Sequence, residues 1–558
     1  MKKVIILSLL SVFLVQCISV KQKVKTTPKT TSVSNATAKP KLVIGIVVDQ
    51  MRYDYLTRFD NKYSEGGFKR MLNDGYNCKN NHYNYIPTYT GPGHASVYTG
   101  TTPENHGIIA NNWYDKYIKK SVYCASDESQ SSVGVEGKWA GKMSPHRMQT
   151  TTVTDQLRLD TQQRGKVIGI AIKDRGAVLP AGHSANGAYW FYGKDKGNWI
   201  TSTYYRSDLP TWVKEFNAAD EAEKYMKPWN TLYDINTYTE SDKDLSKYEG
   251  TFKGKANPVF PYDLPNLKDE NGGFDILKGT AFGNSLTTDF AIAALKGEQL
   301  GQDADTDFLA ISYSSTDYVG HKFGVNSKEI QDTYLRLDKD LERLFAALDQ
   351  EVGKGNYTIF LTADHAAVHV PSYLQDLKIP SGYFSNSELK THLVDFLNTS
   401  YGSEDLIENI SNGQIFLNHT EVKRLKLSAT DIENALQTEL LAYDQISKVY
   451  TRTTLTSSEF NHGIAAALQK GFSQKRSGDV CFVLDIATIS YSRTGSTHGS
   501  GFNYDTHVPL LFYGNGIQQG ETLQRTVITD IAPTISALLE ISLPNAATGN
   551  PIQAALKN

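Results

Sequence analysis

Four apolar runs of this chain end in residues that bind cations or anions. KLVIGIVVD closes on Asp49, DFLAISYSSTDYVGH carries Asp317 and His321, YTIFLTADH ends in Asp364 and His365, and KVIGIAIKDR ends in Lys173 and Arg175. Carboxylate and imidazole together form a donor set that suits zinc. Taken singly, each residue has a plainer use. An aspartate at a strand end suits a helix cap, and an Asp-His pair four apart is commonly a helix-surface contact. Adjacent Asp364 and His365 point to opposite faces of an extended strand and converge only where the strand stops and turns. His498 lies in the Gly/Ser-rich stretch RTGSTHGSGFNYDTHVPLLFYG, where a histidine is ordinarily solvated. His94, His106, His146, His183, His369 and His507 read as idle by the same default. Recurrence of the pattern at several strand ends is what lifts Asp49, Asp317, His321, Asp364, His365 and His498 above it.

YIPTYTGPGHASVYTG adds a nucleophile. Proline is tolerated in a helix's first turn and glycine allows close backbone approach, so the spacing predicts a helix capped by Thr90. A helix N-terminus attracts anions. A hydroxyl held there beside a divalent cation loses its proton readily and would face a phosphate.

These groups need a scaffold that brings strand ends together. Buried apolar runs alternating with helical patterns such as EIQDTYLRLDKDLERLFAALDQEV predict an α/β fold, a doubly wound, mostly parallel sheet flanked by helices. In open sheets of this kind ligands bind at the C-terminal strand edge. Residues 183–283, dense in aromatics and turn formers, and 371–490, mixing helices with short strands, break the alternation and read as inserts packed over or beside that edge. Lys173 and Arg175, two apart on an expected extended chain, would point the same way.

The chain has 558 residues, 40% of them hydrophobic, and a formal charge of -3. That supports a large core and shows no basic excess of the kind nucleic-acid binders carry. Residues 1–20 have two lysines, an apolar run and Cys17, the layout of an export signal rather than of a membrane span. Leu14-Val15-Gln16-Cys17 is similar to a lipoprotein cleavage box, so release into the periplasm and a lipid anchor on Cys17 both stay open. Residues 21–40, rich in Thr, Lys and Pro, read as a flexible tether, with the catalytic domain over 41–558. Cys78, Cys124 and Cys481 fit no metal knuckle. One bridge, Cys78 to Cys124, and buried free thiols are equal expectations.

In order, VVDQM, PTYTGPGHASVYTG, GIIANNWYD, KDR, STDYVGH, TADH, GSTH and TDIAPTISALLEI resemble the alkaline phosphatase superfamily, and most of all its PafA-type bacterial members. The resemblance runs from about Lys41 to the C-terminus. It implies two Zn2+ per chain, one held by Asp317, His321 and His498, the other by Asp49, Asp364 and His365 and contacting Thr90. It implies Asn111, Lys173 and Arg175 on the phosphoryl oxygens, and hydrolysis of phosphate monoesters through a phosphothreonine by an exported, monomeric enzyme. Diester or nucleotide pyrophosphate hydrolysis, as in other superfamily members, is the leading alternative. A non-catalytic zinc- or phosphate-binding protein is the second. Ala366, where relatives usually place glycine, and Gly91-Pro92, where members vary, are departures from the pattern.

Overall fold

The computed structural model describes residues 39–557. The expected leader, Cys17 and the tether up to residue 38 lie outside them. Strands β1 (Leu42–Val48), β2 (Val167–Ala171), β3 (Gly187–Tyr192), β4 (Asp307–Tyr313), β5 (Tyr357–Thr362) and β6 (Leu510–Gly514) form the middle of a ten-stranded sheet, in the order β6-β5-β1-β4-β2-β3. From β5 to β3 every pair is parallel, whereas β6 runs antiparallel to β5. Asn198–Ser202 and Ser132–Val133 continue antiparallel beyond β3, and Tyr76–Cys78 and Gly520–Thr522 lie beyond β6. The sheet is therefore mixed: parallel at its centre, antiparallel beyond β3, and antiparallel from β5 through β6 to Tyr76–Cys78, with which Gly520–Thr522 pairs parallel at the far edge.

The central strands read as unbroken apolar runs because both their faces are covered. All residues of β1, β2, β4 and β5 are buried. Gly45 in β1 answers a close approach: a Cβ there would lie 2.3 Å from the Tyr98 hydroxyl. The helices that matter for the site are α1 (Thr90–Thr99), α2 (Asp174–Ala181), α3 (Ser315–Phe323) and α4 (Lys328–Leu348). Ser327 caps α4 by accepting from the Ile330 N–H.

The two segments that broke the alternation behave differently. Residues 183–283 open with β3 and Asn198–Ser202, which extend the sheet, and set aromatic side chains against helices that cover it. Trp199 stacks on Phe290 at 4.1 Å, and Trp229 donates to Asp332 at 2.7 Å. Within 371–490, Ile407–Ser411, Gln414–Leu417, Val480–Leu484 and Ile446–Thr451 form a separate four-stranded sheet over its own core of Leu393, Leu436, Val480 and neighbours.

Two further findings bear on stability. Cys78, Cys124 and Cys481 are buried free thiols, so the Cys78–Cys124 bridge is not formed. The two sit on separate structures, Cys78 in a flanking strand of the large sheet and Cys124 just past a hairpin strand beside Gly91. Near the start of α4, Glu329 is buried and accepts from the Tyr262 hydroxyl at 2.5 Å, and Glu249 is buried close by. Burial first, and Glu329's charge second, push the Glu249 carboxyl up, and burial pushes Glu329 up to about 8.

Candidate active site

Three parallel strands end side by side, and the chain leaving each supplies ligand-type atoms. Asp49 follows β1, Asp317 lies in the first turn of α3 after β4, and Asp364 and His365 follow β5. β5 ends at Thr362, so the turn beyond it lets the adjacent Asp364 and His365 converge. His365 Nε2 lies 3.4 Å from Asp364 Oδ2 and 3.5 Å from Asp49 Oδ1. On α3 the four-residue interval sets His321 Nε2 3.1 Å from Asp317 Oδ1. The Gly/Ser-rich loop brings His498 Nε2 to 3.7 Å from the same oxygen. Its ring stacks on that of His365.

Each of these imidazoles is oriented by a backbone carbonyl. His321 Nδ1 meets Ser496 O at 2.7 Å, His498 Nδ1 meets Thr88 O at 2.7 Å, and His365 Nδ1 meets Ala366 O at 3.0 Å. A carbonyl only accepts, so each Nδ1 donates and Nε2 is the ring nitrogen left facing the carboxylates. Burial holds His365 down to about 4, and burial followed by the His365 and His321 charges holds His498 well below the usual histidine value. Both are neutral donors at ordinary pH.

The carboxylates differ in charge state. Burial, then the Asp364 charge, push Asp49 up to about 8, and burial pushes Asp364 up to about 6. Asp317 is buried too, but His321 and Lys173 outweigh that and hold it well below the carboxylate range. Three buried atoms, Asp49 Oδ1, Asp364 Oδ2 and His365 Nε2, have no hydrogen-bond partner. Such orphaned atoms cost about 1–3 kcal/mol each. Their convergence fits a divalent cation. Asp317, His321 and His498 form a second group whose ligand atoms lie within 4.8 Å of one another, and Asp317 could also join Asp49 and His365.

Thr90 is the first residue of α1 rather than its cap. Tyr89 occupies the cap position with no side-chain bond to the helix. The helix begins one residue earlier than the Thr-Gly-Pro-Gly pattern suggests, which leaves the Thr90 hydroxyl uncommitted to the backbone. Thr90 is buried, and Arg175 Nη2 approaches its Oγ1 at 3.5 Å. Gly93 sets the depth of α1: a Cβ there would lie 2.4 Å from Asp364 O. Asn111 accepts from the Gly91 N–H at 2.7 Å through Oδ1, which leaves its amide nitrogen free.

Lys173 and Arg175 do not point the same way, because α2 starts at Asp174 and turns the chain between them. The Lys173 ammonium lies between two carboxylates, 2.6 Å from Asp49 Oδ2 and 2.5 Å from Asp317 Oδ2. Two of its three donors are thereby engaged. Arg175 instead reaches toward Thr90 and donates to the Tyr123 hydroxyl at 3.2 Å, and Tyr123 in turn donates to Asp174.

Several contributors carry no motif of their own. Gln50, at φ 64°, donates from its backbone to Asp364 Oδ1 and from its side chain to Asp317 Oδ1. His94 is buried with both ring nitrogens engaged, by Thr90 O and Ser312 Oγ, each at 2.9 Å. It supports α1 and offers no free lone pair. Asp505 accepts through Oδ2 from the Gly499 and Ser500 N–H groups and through its backbone carbonyl from Ala366, tying the His498 loop to the His365 turn. Position beside a motif residue was the signal available for Gln50 and His94. None existed for Asp505.

Comparison with known proteins gives a consistent set of likenesses. The model of the type I phosphodiesterase / nucleotide pyrophosphatase family matches residues 43–507. A protein of Myroides odoratus named calcium-transporting ATPase is 46% identical over 93% of this chain and 95% of its own. Alkaline phosphatase PafA of Elizabethkingia meningoseptica is likewise 46% identical over 93% of this chain and 95% of its own. The crystal structure of wild-type PafA superposes with a TM-score of 0.90 at 45% identity, covering 94% of this chain and all of that one. A PafA variant of known structure carries substitutions of a threonine, an asparagine, a lysine and an arginine at the intervals that separate Thr90, Asn111, Lys173 and Arg175 here.

Proposed function

The chain belongs to the type I phosphodiesterase / nucleotide pyrophosphatase family and, within it, to the PafA-type alkaline phosphatases, and from that membership we propose that it hydrolyses phosphate monoesters through a phosphothreonine at Thr90. The observation that carries the reading is the uncommitted Thr90 hydroxyl at the start of α1, with Arg175 on one side and the orphaned Asp49, Asp364 and His365 atoms at the same strand edge.

Asp49, Asp364 and His365 would hold one cation, with Thr90 beside it, and Asp317, His321 and His498 the other. We assign both as Zn2+ on the mixed imidazole and carboxylate donors. Bound there, such ions lower the pKa of a neighbouring hydroxyl and offset charge on the entering and leaving oxygens. The protein's own groups do the rest. Thr90 Oγ1 attacks phosphorus, the Oγ1–P bond forms, and the bond from phosphorus to the ester oxygen breaks, releasing the alcohol. Water then attacks phosphorus, returning the threonine and releasing phosphate. Arg175, the free amide nitrogen of Asn111, the third donor of Lys173 and the N-terminus of α1 bind the phosphoryl oxygens. That density of positive charge favours a dianionic monoester over a diester, which has one charge fewer and a second substituent to house.

Purified protein supplied with zinc is expected to hydrolyse an aryl phosphate monoester at least about tenfold faster than its diester, a difference of about 1.4 kcal/mol. A chelator is expected to abolish turnover and added zinc to restore it. Acid quenching should yield a phosphorylated peptide that contains Thr90. Diester preference of tenfold or more would overturn the substrate assignment, and ATP belongs in the panel because one relative is named an ATPase.

Export, with release or a lipid on Cys17, and a monomeric state are part of the same reading. No helix among the described residues is long and apolar enough to cross a membrane.

A further inference from the structure

A cavity of about 200 Å3 opens beside the candidate site, between the main sheet's loops and the segment that carries the smaller sheet. Tyr89, which precedes the nucleophile candidate, and His498 form part of its wall, and Phe384, Phe482, Leu484 and Ile489 supply apolar surface from the 371–490 segment. Tyr89 meets the His498 ring edge-on at 5.7 Å. The cavity therefore shares a wall with the Asp317, His321 and His498 group. A cavity of about 150 Å3 with apolar walls holds a benzene ring, so this one accommodates a single aromatic ring with its linking carbon.

The charge on the wall is informative. Asp485 and Asp505 line the cavity, and no lysine or arginine does. An organic group carrying further phosphate or carboxylate charge would meet Asp485 and Asp505 there, with no lysine or arginine on the wall to receive it. A neutral aromatic or apolar alcohol would bury its surface against Phe384, Phe482 and Leu484.

The geometry points to this cavity as the subsite for the alcohol portion of the substrate, which makes monoesters of neutral aromatic or apolar alcohols the preferred class over nucleoside polyphosphates and sugar bisphosphates. This rests on the phosphatase reading above. The 371–490 segment then sets selectivity, while the strand-end residues set the reaction.

Benzyl phosphate and methyl phosphate test it, since both release an alkoxide of similar basicity and differ in the ring. Wild-type kcat/KM is expected to favour benzyl phosphate by at least about tenfold. Leu484→Trp, at a half-buried wall position, and Ser490→Trp, at the exposed rim, are each expected to bring that ratio to within about twofold of unity. Methyl phosphate turnover and inhibition by inorganic phosphate should stay unchanged in both. Equal wild-type kcat/KM for the two esters, or an equal loss of both in the variants, would overturn the assignment. Turnover of neither ester would sink the phosphatase reading instead, and binding would then decide the subsite. Benzylphosphonate held tenfold more tightly than methylphosphonate supports it, and equal binding rejects it.

Discussion

Arg175 and Lys173 are two residues apart and take different tasks, and the difference is measurable. Arg175 is the cation facing Thr90, whereas Lys173 has two of its donors on Asp49 and Asp317. Arg175→Ala is expected to lower kcat/KM for a monoester by about tenfold to hundredfold, the usual range for a lost charge-assisted bond. It should lower that for a diester clearly less, because the diester carries one fewer charge on its non-bridging oxygens. An equal loss for both would remove Arg175 from monoester recognition. At this scale the sequence was most readable where a residue ends a buried strand. Asp49, Asp364 and His365 stand there because a strand end is a fixed point. It was least readable where a helix start had to be placed to one residue, as at Thr90 and Asp174. Gln50 donates to Asp364 and the Asp505 carbonyl accepts from the Ala366 N–H, both across long stretches of chain, and no local pattern encodes those.

Helix α1 places the nucleophile, and its depth depends on Gly93. Helix propensity alone would make Gly93→Ala stabilising by about 1 kcal/mol. The contact overrides that preference, since the new carbon would lie 2.4 Å from a backbone oxygen of Asp364, which cannot swing aside like a flexible side chain. Gly93→Ala is expected to push α1 off the site and lower kcat by about a hundredfold, the effect of a misplacement near 1 Å. Far-UV circular dichroism should be unchanged. Retained kcat would show that the turn after β5 yields instead. The elements themselves were largely legible, because the strands are buried on both faces and read as continuous apolar runs. The flanking strands were not, since Tyr76–Cys78 and Gly520–Thr522 are too short to carry a period.

Over the whole molecule, the Glu249 and Glu329 pair ties stability to pH. Both carboxyls are pushed up in the folded state, so the native chain binds their protons more tightly than the unfolded chain does. For Glu329 the resulting stabilisation is full below the ordinary glutamate value near 4.5 and is lost as pH rises through about 8. Glu329→Gln keeps the acceptor for Tyr262 and removes the titration. Its Tm relative to wild type is expected to rise steadily across that window by at least about 1 °C. A constant difference across it would show that Glu329 titrates normally.

β1 pairs with β4 on one side and β5 on the other, so its two neighbours arrive only when the chain has been made through Asp307–Tyr313 and Tyr357–Thr362. Tyr76–Cys78 waits longer still, for Leu510–Gly514. A nascent chain of this design emerges from the ribosome with its central ribbon unpaired, and it completes its core after synthesis ends, slowly, as long-range pairing dictates. Until those partners arrive, the ribbon's backbone donors and acceptors lie open, a template that a chaperone must cover if neighbouring copies are not to pair with it.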